Sequence, residues 1–400
     1  MKYVVFLGDG MADYPIEKLN NKTPLMVANK PYIDSLARQG EVGLCQTIPQ
    51  GFKPGSDVAN LSVLGYDPKT CYTGRSPLEA GSIGINLLDT DVTARANLVT
   101  LSNDGEYEDK KMVDYSAGEI STEEAKVLIE YLAKNINNER QKLYSGISYR
   151  HCFVIDKGVI AGDLTPPHDI TGKDIKEYLP KSDEGKKYLE IMKESYKLLS
   201  SHPINVERVK QGKNPANSLW FWGEGTKPKL ENFTEKFGVK GAVISAVDLL
   251  KGIGKLSGMK VIEVEGATGN YDTNFIGKAK ACLNAFKDGM DYVYIHMEAP
   301  DECGHHGDLE HKIYSIEQID NVVKVVVEGL KEMGEQFNVL ICPDHPTPIS
   351  IKTHCANPVP YLIYKSQNPI DGAGSYNEQT AKESNIFVSH GYELINRLLK

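Results

Sequence analysis

The sequence lacks any apolar run that approaches the ~18 residues of a membrane-spanning helix. No basic, apolar leader opens it, so we expect neither a signal peptide nor a membrane anchor. Its seven cysteines are an odd number and form no C-x-x-C pair. We therefore expect a soluble, cytoplasmic protein that keeps its thiols free and has no membrane partner.

Positive charge is also scarce. The formal net charge of −9 argues against a nucleic-acid partner. An anionic substrate would then need a local cluster of basic side chains, because the overall field repels it. Residues 252–258 resemble a phosphate-binding loop but lack the spacing of a nucleotide-binding motif, which argues against an ATP-dependent kinase.

The length of 400 residues predicts two domains, because a single core rarely organises that much chain. Strand-like and helical patterns alternate up to about residue 87 and again after about residue 180. Between them, the pattern is that of a compact α+β segment. We therefore predict a discontinuous core domain, 1–87 and 181–400, interrupted by an inserted domain, 88–180.

Three strand-like apolar runs each end in acidic or imidazole side chains. Ligands bind outside the carboxyl ends of parallel strands, so these side chains are expected to converge. Asp301 and His305 would share a face if they lay on one helical turn. The set has too many ligands for one tetrahedral site and suits two adjacent divalent ions. Its members are Asp9, Asp301, His305, Asp344, His345 and His354.

Ser56 follows a breaker-rich loop, residues 49–55, and precedes a short helical pattern. A serine at such a boundary is most often only a helix cap. The predicted metal cluster favours a different role for it, because a helix N-terminus stabilises an anion such as a bound phosphoryl group.

Several short blocks carry a family resemblance in their order along the chain: residues 8–11, 54–62, 299–305, 343–348 and 353–354. The sequence resembles the archaeal-type cofactor-independent phosphoglycerate mutases, a family of the alkaline phosphatase superfamily. The resemblance covers nearly the whole chain and includes residues 214–223 and 266–269. It implies an α/β fold, in which an alkaline-phosphatase-like, doubly wound and mostly parallel sheet core carries an inserted smaller α+β domain.

The resemblance also implies roles. One ion would be held by Asp9, Ser56, Asp344 and His345, and the other by Asp301, His305 and His354. Mn²⁺ is the expected metal, with Mg²⁺, Co²⁺ or Zn²⁺ as alternatives, and no organic cofactor is expected. Ser56 would take the phosphoryl group from 3-phosphoglycerate and return it to the 2-hydroxyl of glycerate.

A mutase must retain glycerate and exclude water between these steps, which gives the inserted domain a function as a lid. We expect Arg95, Arg150 and Lys240 to contact the substrate carboxylate or phosphate, and His168 or Asp169 to carry protons. Singly, each residue of the insertion is better explained by a structural role than by a functional one, and only together do they provide what a lid that grips a carboxylate or phosphate needs.

Two other functions remain open from the sequence. The first is a two-metal phosphomonoesterase or another phosphosugar mutase with the same core, which release of inorganic phosphate would reveal. The second is a non-catalytic scaffold in which the Asp/His cluster only stabilises the fold, but such a site would not require Ser56. The sequence does not set the oligomeric state.

Overall fold

The computed structural model describes all 400 residues, Met1 to Lys400. Its strands are β1 (Lys2–Gly8), β2 (Glu41–Cys45), β3 (Val92–Leu101), β4 (Met112–Asp114), β5 (Gln141–Tyr144), β6 (Arg150–Ile155), β7 (Ser218–Thr226), β8 (Gly241–Ile244), β9 (Lys260–Ile262), β10 (Tyr292–Met297), β11 (Phe337–Cys342), β12 (Val359–Lys365) and β13 (Phe387–Val388).

The α-helices are α1 (Pro24–Val27), α2 (Pro31–Ala37), α3 (Ser56–Val63), α4 (Pro68–Cys71), α5 (Arg75–Ser82), α6 (Thr122–Ile136), α7 (Asp183–Ser200), α8 (Pro203–Lys210), α9 (Phe233–Phe237), α10 (Asp248–Leu256), α11 (Phe275–Lys287), α12 (Ala299–His306), α13 (Leu309–Glu332), α14 (Glu378–Glu383) and α15 (Leu394–Leu399). Short 3₁₀ helices cover Glu17–Leu19, Tyr107–Asp109, Pro167–Ile170, Lys176–Tyr178 and Gly391–Glu393.

The chain divides into two compact units, which we call the core unit and the inserted unit. The core unit comprises Met1–Tyr72 and Lys229–Lys400, and the inserted unit comprises Thr73–Pro228. The inserted unit contains the predicted segment 88–180 but begins earlier and ends later. Its extra length arises because β7 pairs with β3 and α7 packs on β7. Residues 181–228, which we predicted as part of the core domain, therefore belong to the inserted unit.

The core unit is built on an eight-stranded, mostly parallel sheet in the order β13-β2-β12-β11-β1-β10-β8-β9. Strands β11, β1, β10, β8 and β9 are mutually parallel, whereas β12 runs antiparallel to both of its neighbours. The three predicted runs therefore form the adjacent strands β11, β1 and β10. Their sequences are continuously apolar because helices cover both faces of a parallel sheet.

The longest covering helix is α13. Its apolar stripe, at residues 316, 319, 323, 326 and 330, is fully buried. Residues 299–306 form α12 directly after β10. Pro300 is tolerated there because N–H groups in the first turn of a helix have no acceptor within the helix, so the N–H that proline lacks costs no hydrogen bond.

The inserted unit has its own antiparallel sheet and its own apolar core. Strand β3 lies at the centre of the sheet and pairs antiparallel with β4, β6 and β7. Trp220 and Trp222 are buried in this core, as expected for packing residues. Each unit can therefore bury an apolar interior by itself.

None of the helices is both long enough and apolar enough to cross a lipid bilayer. All seven cysteines are free thiols, and six of them are buried. Cys303 and Cys342, which lie in the chain next to candidate ligands, are small residues of the interior.

Candidate two-metal site

The first group of candidate ligands consists of Asp9, Asp344 and His345, and all three are buried. Asp9 follows β1, and the Asp344–His345 pair follows β11, so parallel pairing brings them to the same edge of the sheet. His345 Nε2 lies 3.6 Å from Asp9 Oδ1 and 3.3 Å from Asp344 Oδ2. One ligand atom from each residue therefore fits around a common point.

The second group consists of Asp301, His305 and His354. Asp301 and His305 lie one turn apart on α12, with His305 Nε2 3.2 Å from Asp301 Oδ2. His354 Nε2 lies 3.4 Å from Asp301 Oδ1 and 2.9 Å from His305 Nε2. The sequence indicated that Asp301 and His305 would share a face only if they lay on one helical turn. Helix α12 provides that turn, so the two side chains do share a face.

The two groups are neighbours within the core unit. The ring centroids of His345 and His354 are 4.0 Å apart. The hydroxyl of Thr347 donates a hydrogen bond to Asp301 and lies 3.2 Å from His345 Nδ1. One side chain therefore joins a ligand of each group, as expected of a paired site.

Hydrogen bonds select the imidazole tautomer that a metal requires. His305 Nδ1 lies 3.0 Å from the carbonyl oxygen of Lys352, so this nitrogen must carry the proton. The Thr347 hydroxyl gives its proton to Asp301, so His345 Nδ1–H donates to it. When both rings are neutral, the Nε2 lone pair of each faces its group, which is the arrangement that binds a metal ion.

The electrostatics also favour cations at this place. Burial raises the pKa of Asp9 well above its ordinary value, and the carboxylates of Asp344 and Asp301 raise it further. Asp9 Oδ1 is buried and has no hydrogen-bond partner. Several buried carboxylates so close together need compensating positive charge. Oxygen and imidazole ligands in two adjacent groups fit two divalent ions.

Ser56 is the first residue of α3, and Gly55 takes the capping position that we had considered for the serine. Its Oγ lies 3.1 Å from His345 Nε2, so the structure brings Ser56 to the first ligand group. Asn60, one turn along α3, donates to the Ser56 carbonyl oxygen at 2.8 Å. The Tyr72 hydroxyl donates to Asp57 Oδ2 at 2.6 Å, which braces the loop-to-helix junction.

Some buried residues that contact the ligands were missed in the sequence. Asn60 donates to Asp344 Oδ2 at 2.9 Å and accepts from the Tyr294 hydroxyl at 2.6 Å. His296 Nε2 lies 2.8 Å from Asp9 Oδ2. The available signal was that Tyr294 and His296 are polar residues at alternate positions in an otherwise apolar strand.

In the inserted unit, Arg95 is buried in a cationic cluster. Its Nε lies 2.9 Å from Glu79, which also pairs with Arg75 at 2.9 Å, and its guanidinium lies 4.2 Å from the Trp222 ring centroid. Burial alone would raise the pKa of Glu79, but Arg95 and Arg75 outweigh it and hold that pKa below its ordinary value. Arg150 is exposed and begins β6, which pairs with β3.

His168 lies against Trp222, with ring centroids 5.0 Å apart, so it belongs to the same cluster as Arg95. Partial desolvation lowers the pKa of His168 below its ordinary value. Asp169 is exposed, and its Oδ1 lies 3.6 Å from His168 Nε2. Lys240 precedes β8 at the amino end of the parallel strands. The structure does not bring it to the ligand groups, which lie at the carboxyl ends.

Comparison with known proteins identifies the family to which a chain with this site is similar. The family described as "2,3-bisphosphoglycerate-independent phosphoglycerate mutase" matches residues 37–205. The mutase of that name from Methanosarcina barkeri is 49% identical over 403 residues, covering 100% of both chains. A probable mutase of the same kind from Geobacter sulfurreducens is 47% identical, also over 100% of both.

Two solved structures resemble the chain throughout. A Pyrococcus horikoshii protein is 31% identical with a TM-score of 0.83, covering 100% of this chain and 96% of that one. The cofactor-independent phosphoglycerate mutase of Thermoplasma acidophilum is 25% identical with a TM-score of 0.63, covering 100% and 99%. Because the relatives match the whole chain at up to nearly half identity, the chain belongs to the archaeal-type 2,3-bisphosphoglycerate-independent phosphoglycerate mutases.

Proposed function

We propose that the chain interconverts 3-phosphoglycerate and 2-phosphoglycerate through a phosphoserine on Ser56, without 2,3-bisphosphoglycerate. Mutase activity follows from the family, and the intermediate is our inference. The observation that carries it is the position of the Ser56 hydroxyl, 3.1 Å from His345 Nε2 at the edge of the first ligand group.

Each ligand group would hold one of the two metal ions. Asp9, Ser56, Asp344 and His345 would hold one ion, and Asp301, His305 and His354 would hold the other. When bound, two divalent ions supply positive charge that lowers the pKa of the serine hydroxyl and neutralises the phosphate oxygens. The mixture of oxygen and nitrogen ligands supports Mn²⁺ as the working metal, with Mg²⁺, Co²⁺ or Zn²⁺ as alternatives.

The protein positions the reacting atoms. Ser56 Oγ attacks phosphorus as the bond between phosphorus and the 3-oxygen of the substrate breaks. The glycerate 2-oxygen later attacks the same phosphorus and releases Ser56. The N-terminus of α3 stabilises the phosphoryl group throughout, because its unpaired N–H groups and dipole favour an anion. Asn60 keeps this turn of α3 in place through the Ser56 carbonyl oxygen.

Glycerate must stay bound while it reorients, and this requires cations for its carboxylate. Arg95 and Arg150 are our candidates, since Arg95 is fixed by Glu79 and Trp222 and is therefore preorganised. His168 and Asp169 are candidates for the proton carriers. The inserted unit would then supply the difference between a mutase and a phosphomonoesterase, which passes the phosphoryl group to water.

Ser56→Ala tests the nucleophile. The variant should lose mutase activity to below about a thousandth of the wild-type rate, given the usual cost of losing covalent catalysis. Ser62→Ala is the matched control, because Ser62 lies on the same helix with a buried hydroxyl that has no hydrogen-bond partner. Conversion of 3-phosphoglycerate is measured with Mn²⁺ and without 2,3-bisphosphoglycerate. A Ser56→Ala protein that keeps more activity than this contradicts the proposal.

A further inference from the structure

His296 is a buried polar residue that the proposed reaction does not yet use. It lies near the end of β10 with 0% of its surface exposed. Its Nε2 is 2.8 Å from Asp9 Oδ2, and its Nδ1 is 3.1 Å from the hydroxyl of Ser245, which directly follows β8. The imidazole therefore spans two strands and ends on a candidate metal ligand.

The protons in this chain of hydrogen bonds can be assigned. A carboxylate accepts only, so His296 Nε2–H donates to Asp9. A neutral imidazole then has a lone pair on Nδ1, and the Ser245 hydroxyl donates to it. Ser245 Oγ in turn accepts the backbone N–H of Val247 at 3.0 Å. Every member of the chain is satisfied, so the ring has one tautomer and one orientation.

The two oxygens of Asp9 consequently have different environments. Oδ2 is held by His296, whereas Oδ1 is buried, has no hydrogen-bond partner and lies 3.6 Å from His345 Nε2. We propose that His296 is a positioning residue that orients the Asp9 carboxylate so that Oδ1 faces the ion held with Asp344 and His345. This inference rests on the two-metal site of the proposed function.

Asp344 is held in a similar way from the same strand. Tyr294, two residues before His296, donates through its hydroxyl to Asn60, and Asn60 donates to Asp344 Oδ2 at 2.9 Å. Residues two apart on a strand point to the same face, so one side of β10 supports both carboxylates of the first group. In the second group, the carboxylate of Asp301 is held by Thr347 instead. Loss of His296 should therefore affect one ion selectively.

The test measures metal binding by the metal-free protein, independently of turnover. Free Mn²⁺ is followed by electron paramagnetic resonance during titration of the wild type and of His296→Leu. The wild type should take up two ions. His296→Leu should bind one of them about 10–100-fold more weakly, the usual loss when a partner of a metal ligand is removed, and the other with unchanged affinity. His296→Gln should restore most of the loss, because its amide can donate to Asp9 from nearly the same position.

Tyr292→Phe is the matched control, since it removes a buried hydroxyl from the same strand that has no hydrogen-bond partner. It should bind both ions as the wild type does. Three results would each overturn the inference: wild-type affinity for both ions in His296→Leu, equal weakening of both ions in that variant, or a loss that His296→Gln does not restore.

If circular dichroism shows that His296→Leu does not fold, Ser245→Ala decides the question. This variant keeps the imidazole but removes the partner that fixes its tautomer, so the same ion should bind more weakly. Wild-type affinity in Ser245→Ala would then overturn the inference. A wild-type chain that takes up fewer than two ions contradicts the proposed function itself, and the two failures are thereby distinguished.

Discussion

Lys312→Met should destabilise the core unit strongly, because Lys312 neutralises a buried carboxylate. Its Nζ lies 2.7 Å from Asp13 Oδ2 and 2.8 Å from the carbonyl oxygen of Thr347, and neither charged side chain is exposed to solvent. Asp13 belongs to the segment that follows Asp9, and Thr347 to the segment that follows His345. Lys312 on α13 therefore contacts both the segment after Asp9 and the segment after His345.

The magnitude follows from the burial. Removing one partner of a fully buried ion pair costs about 3–5 kcal/mol, because the other charge stays buried without compensation. For a unit of roughly 150–250 residues, each kcal/mol lowers the melting temperature by about 2–4 °C. The expected shift is therefore roughly 6–20 °C, measured by thermal unfolding with circular dichroism in the absence of metal.

Two controls separate this effect from a loss of charge in general. Lys186→Met removes the lysine of an exposed helical pair with Asp183, whose side chain is 97% exposed, and should change stability by less than about 1 kcal/mol. Adding Asp13→Asn to Lys312→Met removes the uncompensated charge and should recover part of the lost stability. A shift below about 2 °C for Lys312→Met alone would refute the reasoning.

Three further predictions concern metal, substrate and pH. Chelation should abolish mutase turnover and added Mn²⁺ should restore it, so full activity in a metal-free preparation would rule out the two-metal site. Arg150→Ala, at an exposed position, should lower mutase flux and raise phosphate release per turnover, and a variant with normal isomerisation would remove Arg150 from the substrate contacts. Because the folded-state pKa of Glu79 is lowered, its stabilisation is present above its unfolded pKa and is lost as pH falls through the folded value. Glu79→Gln should therefore show less loss of stability than the wild type between about pH 5 and pH 3 in acid unfolding, and an unchanged pH profile would contradict this.

The convergence of the candidate ligands could be predicted from the sequence because their positions depend on strand periodicity. A continuous apolar run predicts a buried parallel strand, and a side chain just past its end must lie at the carboxyl edge of the sheet. Asp9, Asp301 and Asp344 could therefore be placed at this edge without knowledge of the pairing order. The spacing of Asp301 and His305 also predicted that the two side chains would share a face if a helix formed there.

Features that depend on which distant segments meet could not be predicted in this way. Lys240 was expected near the substrate, but it precedes its strand and lies at the amino edge of the sheet. Glu79 was not predicted as a partner of Arg95, because α5 and β3 are joined only by tertiary packing. The inserted unit extends to Pro228 because β7 returns to pair with β3, and local sequence patterns do not reveal that pairing.

The hydrogen bonds that hold the ligands were equally invisible in the sequence. His296 and Asn60 reach Asp9 and Asp344 across hundreds of residues of chain. The alternation of polar residues in β10 marks His296 as unusual, but it does not show which distant segment His296 contacts. Lys312 is a buried charge on α13, and only the structure reveals its partner Asp13.

The central claim is that phosphoryl transfer passes through Ser56, and one rapid-quench experiment tests it directly. Manganese-loaded protein is mixed with 3-phosphoglycerate labelled in its phosphate, without 2,3-bisphosphoglycerate, and acid-quenched samples are analysed by peptide mass spectrometry. We predict that the label appears on Ser56 before or together with the first 2-phosphoglycerate and then passes to product with little free phosphate. Formation of 2-phosphoglycerate at the full rate with no label on Ser56 would contradict the account.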